Sequence, residues 1–99
     1  MAKKIYQLFL MGFNEAGYQL TQEEQDALLA KERESSEKAG ARNIVFCEAT
    51  WSNEEWQYFG VNEYPDVEAL QEHTKRLEEV QWFRYVTSRV ILGTESKQF

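Results

Sequence analysis

His73 is the only histidine in this 99-residue chain. Imidazole is the side chain whose ordinary pKa lies near neutrality, so His73 is the first candidate for a general base or for an axial ligand to a heme iron. A lone histidine on a helix flank also occurs with no chemistry at all, and the residue by itself does not decide. Tyr58 and Arg89 are the other candidates for catalytic contacts, a phenol and a guanidinium in strand-like runs. Gln7, Trp56, Asn62 and Trp82 join them as candidate ligand-binding residues. Polar groups inside strands, such as Gln7, Glu48 and Arg89, need partners if they turn inward, and there they can orient a polar ligand in an apolar cavity. At a sheet end they simply reach water. A Glu48–Arg89 pair is conceivable only across a dimer, because the strands that carry them fall at opposite edges. Trp51, Trp56, Tyr58, Trp82 and Tyr85 supply enough flat surface for an aromatic ligand, and equally for a core or a subunit contact. Cys47, flanked by Val45 and Ala49, shows no electropositive setting that would make it a thiolate, so a packed thiol is the expectation.

The elements that must position these residues follow from periodicity. Residues 4–13 read as a strand, with Ile5, Phe9, Met11 and Phe13 on one face and Tyr6, Leu8 and Leu10 on the other. Residues 14–20 read as a loop. Thr21 and Glu24 form a capping box that opens a helix, and Gly40 supplies its left-handed stop. The apolar content of that helix lies in its first half, at Ala27, Leu28 and Leu29. Its second half is charged and reads as a solvated face.

A hairpin spans residues 44–64, broken by Ser52, Asn53, Glu54 and Glu55. A four-residue connection sets Trp51 against Trp56 and Cys47 against Gly60, and so places Cys47 and Tyr58 on one face. Pro65 and Asp66 open a second helix to about Val80, with Val67, Leu70, Thr74 and Leu77 as its buried stripe and His73 at the flank. After an aromatic corner at residues 81–84, a last strand runs over residues 85–93.

Composition bounds the rest. The chain is one domain over residues 1–99. A net charge of −6 speaks against a nucleic-acid backbone or an anionic membrane as partner. One cysteine excludes an intrachain disulfide and an all-cysteine metal site. No phosphate loop or metal-binding helix motif occurs, and no metal is expected. No apolar run spans a bilayer, and no cleavage site follows the basic N-terminus, so a cytoplasmic location is expected.

Strand, helix, strand, twice over, defines a ferredoxin-like α+β fold, βαββαβ with a four-stranded antiparallel sheet. Right-handed crossovers place the first and third strands centrally and both helices on one face. Every strand offers apolar side chains to both faces, so the uncovered face needs a partner. With this order, and with the run Tyr58-Phe59-Gly60-Val61-Asn62-Glu63-Tyr64-Pro65-Asp66, the chain resembles the dimeric α+β barrel superfamily. That resemblance covers residues 4–93 and implies two sheets packed face to face in a homodimer. The superfamily includes cofactor-independent monooxygenases, isomerases, heme-degrading enzymes and many small proteins of unknown activity. Heme-degrading members carry a histidine on the second helix, an asparagine on the first strand and a tryptophan closing the third. Here Gln7 stands in the asparagine place, and Trp56 opens its strand.

The leading expectation is a homodimer that binds a small, largely apolar molecule, with no cofactor; if it is an enzyme, the resemblance implies oxygenation or isomerisation. The second expectation is a non-catalytic structural or interaction dimer, and the third a heme protein. A cavity discriminates: a binder needs one with converging polar groups, whereas a structural dimer fills it with aromatic side chains.

Overall fold

The computed structural model describes residues 3–98; Met1, Ala2 and Phe99, at the ends of the expected domain and tail, lie outside them. The elements are β1 (Ile5–Phe13), α1 (Glu15–Tyr18), α2 (Gln22–Lys38), β2 (Arg42–Glu48), β3 (Tyr58–Tyr64), α3 (Val67–Glu79), α4 (Trp82–Tyr85) and β4 (Val86–Gly93). The sheet is antiparallel with order β2-β3-β1-β4, so β1 and β3 are central as expected. The molecule is a slab of 43 × 31 × 16 Å. Its short dimension accommodates one sheet and one helix layer and nothing more.

The helix-side face carries Ile5, Gln7, Phe9 and Met11 from β1, paired with Tyr64, Asn62, Gly60 and Tyr58 from β3. Val86, Ser88, Val90 and Leu92 of β4 stand beside them. Two apolar clusters fill the space under the helices. One joins Phe9, Met11, Leu28, Leu77, Trp82 and Val86; the other joins Ile5, Ala39, Tyr64 and Leu70.

The capping box of α2 is present, with Thr21 Oγ1 accepting from the Glu24 amide and Glu24 Oε1 accepting from the Thr21 amide. Gly40 closes the helix at φ +80, a left-handed conformation that glycine adopts without steric cost. Asp66 caps α3 by accepting from the Ala69 amide.

Three expectations are corrected. Residues 14–20 are not all loop: Asn14 caps the short helix α1 and also donates to the Arg84 carbonyl, which ties α1 to α4. The aromatic corner is helical too, and it enters through Gln81 at φ +60. The hairpin has a long connection, since β2 stops at Glu48 and β3 starts at Tyr58. Glu48 therefore faces Tyr58, and Cys47 faces Phe59 rather than Gly60. Phe46 thus stacks on Tyr58 and Phe9 on the helix side, while Cys47 turns to the open face. Trp51, expected to face Trp56 in the ladder, sits in the connection at 84% exposure.

Candidate functional site

The candidate site is a polar belt that separates the two apolar clusters. Its upper part lies between the helices. On α2 and its C-cap the inward positions include Leu28, Glu32, Ser35 and Ala39, so two of four are polar. Facing them on α3 are His73, only 4% exposed, and Arg76. His73 was expected at the flank of its helix; instead it takes part in the buried stripe with Leu70 and Leu77, and Val67 is turned out. The helix rotates this way because Glu32 and Ser35 meet the imidazole where an apolar residue would leave them unpaired.

Arg76 Nε donates to Ser35 Oγ at 2.8 Å, and Arg76 Nη2 donates to the Ser35 carbonyl at 2.8 Å. His73 Nδ1 lies 2.9 Å from Ser35 Oγ, and Nε2 lies 3.3 Å from Glu32 Oε2. Since Arg76 fills one lone pair of Oγ, the Ser35 hydroxyl hydrogen is free to donate to Nδ1. A neutral ring then carries its proton on Nε2, toward Glu32, and every group is satisfied.

The lower part of the belt lies on the sheet. Gln7 and Asn62 are paired across β1 and β3, one step from Tyr64. Asn62 Oδ1 accepts from Asn43 Nδ2 at 2.9 Å. Tyr64 is fully buried, its ring centroid 5.8 Å from that of His73, and among the described residues its hydroxyl makes no hydrogen bond of ordinary geometry, with the Asn62 side chain the polar group near it. Burial first, and the Glu32 carboxylate second, push the Tyr64 phenol above its usual range, against a smaller opposing pull from Asn62.

Of the residues singled out from sequence, the fold brings Gln7, Asn62 and His73 to this belt. Tyr58 and Trp82 belong to the apolar cluster nearer α4, where they line a void of about 10 Å³ with Met11, Phe13, Leu29 and Gln57. That void has room for one water at most. Trp56 lies in the connection before β3, outside the ladder. Arg89 pairs with Leu10 on the opposite sheet face and does not join the others. Glu48 is on the helix-side face, so a face-to-face dimer does not bring it to Arg89. Sequence reasoning missed Glu32, Ser35 and Arg76. Their signal was present: positions 28, 32, 35 and 39 are helically spaced, and only the polar members hid the stripe.

Both ring nitrogens of His73 are engaged by side chains of α2, Ser35 and Glu32, which leaves neither to ligate an iron. The residues present therefore do not fit a heme, and no chemistry is derived through one. Among the described residues no group of three or more His, Cys, Asp or Glu side chains is placed to hold a metal. No described helix is long and apolar enough to cross a membrane.

Among the described residues no helix covers the opposite face of the sheet. Leu8 is 40% exposed there, Phe59 39% and Ile91 67%, with Val45 and Cys47 alongside. A shallow groove of about 470 Å³ runs over Tyr6, Leu8, Val61 and Ile91. At one end Glu63 is buried under two cations, 3.0 Å from Lys4 Nζ and 2.8 Å from Arg42 Nη2. Hydrogen bonds from Arg42 first, then Lys4, hold the Glu63 carboxyl below its usual range.

No protein-family profile and no curated protein sequence matches the chain. Solved structures do. RPA0582, a protein of unknown function from Rhodopseudomonas palustris, aligns with a TM-score of 0.71 at 21% identity, over 98% of this chain and 85% of that one. TA0507, a candidate chlorite dismutase, aligns with a TM-score of 0.70 at 14% identity over 95% of this chain. The alignment takes in 46% of TA0507, so the present chain spans about half its length. A dimeric protein of unknown function and ferredoxin-like fold from Bacteroides fragilis aligns with a TM-score of 0.54 at 12% identity, over 93% and 96% of the two chains. Identities this low bear on fold and not on activity. Strand order, the one-sided helix layer and these likenesses agree: the chain is an α+β protein of the ferredoxin-like fold.

Proposed function

We propose that the chain works as a homodimer, joined through the sheet face that no helix covers, and that association is its principal function. The observation that carries this is the apolar surface of that face. Leu8, Val45, Phe59 and Ile91 stand exposed on adjacent strands of a two-layer slab. A second copy laid sheet to sheet removes this patch from water and supplies the missing third and fourth layers. The dimeric state of the Bacteroides fragilis neighbour supports the reading. The helix-side space supports it as well, being filled by Trp82, Phe9 and Met11. A cytoplasmic location is consistent with the single cysteine.

Sedimentation at low micromolar concentration tests the dimer. The expected mass is twice the chain mass of 11.7 kDa. A single charge at the centre of the patch, Leu8→Asp, is expected to return the mass to that of one chain. A wild-type protein that sediments as a monodisperse monomer overturns the proposal.

One observation favours a second reading, in which the dimer binds a small, largely apolar molecule under the helices after the helix layer parts, since the void there now holds no more than a water. Gln7, Asn62 and His73 come from three elements to one level of the helix-side core, next to the unpaired Tyr64 hydroxyl. Such convergence of polar groups in an apolar surround is what orients a ligand. Cofactor-independent oxygenation or isomerisation is the chemistry this reading carries. Native mass spectrometry of protein purified without additive separates the two. A reproducible adduct on the dimer supports the binder, and a clean dimer supports association alone.

A further inference from the structure

Helix α2 is held differently from the other long elements. Only Leu28 and Ser35 of its 17 residues are buried, against Leu70, His73 and Leu77 of 13 in α3. Leu28 seats in one apolar cluster, and Ala39, just past the helix, seats in the other. Between these two seats the contact with α3 is polar: Glu32 and Ser35 against His73 and Arg76. Near its N-terminus, a bond from Gln25 Nε2 to the Gly17 carbonyl is a further tie. The caps of α2 are local, with Thr21 and Glu24 at one end and the Gly40 turn at the other, so distant partners reach its C-terminal end only through the packing of Ala39 and the bonds to Ser35. The closed arrangement also leaves the Tyr64 hydroxyl buried without a partner, and water reaching it on opening removes that cost.

We propose that α2 is a latched lid: it leaves the sheet as a unit while β1, β3 and α3 stay folded, and the Glu32–Ser35–His73–Arg76 network is the catch. Ser35 is the hub, because its hydroxyl and carbonyl together receive both bonds from Arg76 and the hydroxyl meets His73. Opening uncovers the seat of Leu28, a cleft floored by Phe9 and Met11, with Gln7, Asn62 and Tyr64 at its polar end. A lifted α2 is a charged helix of 17 residues, marginal in water on its own, so its amides exchange when it opens. The lid needs no ligand and stands apart from either reading of function.

Native-state hydrogen exchange of the full-length protein, followed residue by residue in low urea, tests it. Amides of α2 are expected to exchange at least about tenfold faster than those of β1, β3 and α3, with little dependence on urea, as sub-global openings do. Ser35→Ala is expected to speed α2 exchange by about a further tenfold while the β1 and β3 amides keep their wild-type rates after correction for global stability. Glu32→Gln, at a half-buried position that places no demand on the core, is expected to do the same to a smaller degree, and it serves if Ser35→Ala does not fold. If α2 and the sheet share one urea-dependent isotherm in the wild type, there is no lid. If the two variants speed every element by one common factor, the network belongs to the global core and the catch is wrongly assigned.

Discussion

A buried hydroxyl without a partner is a cost the protein carries in its closed state. Tyr64 is such a case: its ring is part of the cluster with Ile5, Ala39 and Leu70, and its Oη makes no hydrogen bond of ordinary geometry among the described residues, although the Asn62 side chain stands near it. Tyr64→Phe keeps the ring and removes the orphaned group. The variant is expected to be more stable by about 1 kcal/mol, read from the urea midpoint, because the desolvation penalty of an unpaired hydroxyl is lost while the packing stays. Glu63 is the opposite case, a carboxylate satisfied by Arg42 and Lys4. Its folded pKa lies below its unfolded one, so its contribution to stability is complete above the unfolded value and is lost as pH falls through the folded value. Thermal midpoints of wild type and Glu63→Gln are therefore expected to converge as pH drops below about 4, and to separate in favour of wild type toward neutrality. Curves that stay parallel from pH 7 to pH 2 argue that the two cations do not hold this carboxylate in solution.

At the scale of elements, the caps decide where helices begin. Thr21 both accepts from the Glu24 amide and is covered by the Glu24 carboxylate, so Thr21→Ala is expected to cost about 1 kcal/mol in chemical denaturation. That box was legible from Thr21 and Glu24 alone, as were the Gly40 stop and the central placement of β1 and β3; the start of α3 was legible only approximately, since Pro65 suited the first helical position and the structure makes Asp66 the cap and Val67 the first residue. Each depends on local chemistry or on chain connectivity, and both are written in sequence. The hairpin register was not legible. Ser52 to Glu55 look like a compact turn, yet the chain spends nine residues between Glu48 and Tyr58, with the Ala49 amide bonded to the Gln57 carbonyl. A slip of one residue sends Cys47 to the other face. Gly60 fits the observed packing: a side chain there would collide with the Val45 carbonyl and the Phe9 ring, so Phe9 lies over a position that glycine leaves open. Likewise, periodicity found the stripe of α3 but set His73 at its edge. The partner that draws it inward sits 38 residues away on α2, in a half whose charge reads as solvated. Of the candidate site, sequence reading held the sheet half, Gln7 and Asn62, and the imidazole, but not the helix pair that closes over them.

The whole molecule poses a question of layers. A slab 16 Å thick with Leu8, Phe59 and Ile91 on its bare side has buried one face of its sheet and not the other. Chains of about this length bury only roughly 60–68% of their unfolded surface, so a large part of the stability of this protein is expected to come from the contact between copies. Folding linked to association makes the thermal midpoint depend on concentration, which folding of an independent monomer does not. Raising the protein concentration a hundredfold adds about 2.7 kcal/mol of stability to a dimer that unfolds to separate chains, by the same mass-action relation. For a folding unit of two chains that is a rise in Tm on the order of 5–10 °C. Calorimetry or circular dichroism from about 1 to 100 μM covers such a hundredfold range. Wild type is expected to show the rise, and Leu8→Asp or Ile91→Asp a lower midpoint that no longer moves with concentration. A wild-type midpoint that is independent of concentration, with both variants melting at the same temperature, means that the bare face is tolerated by a stable monomer. The apolar pattern on both sides of every strand would then need a cause other than a second copy of the chain.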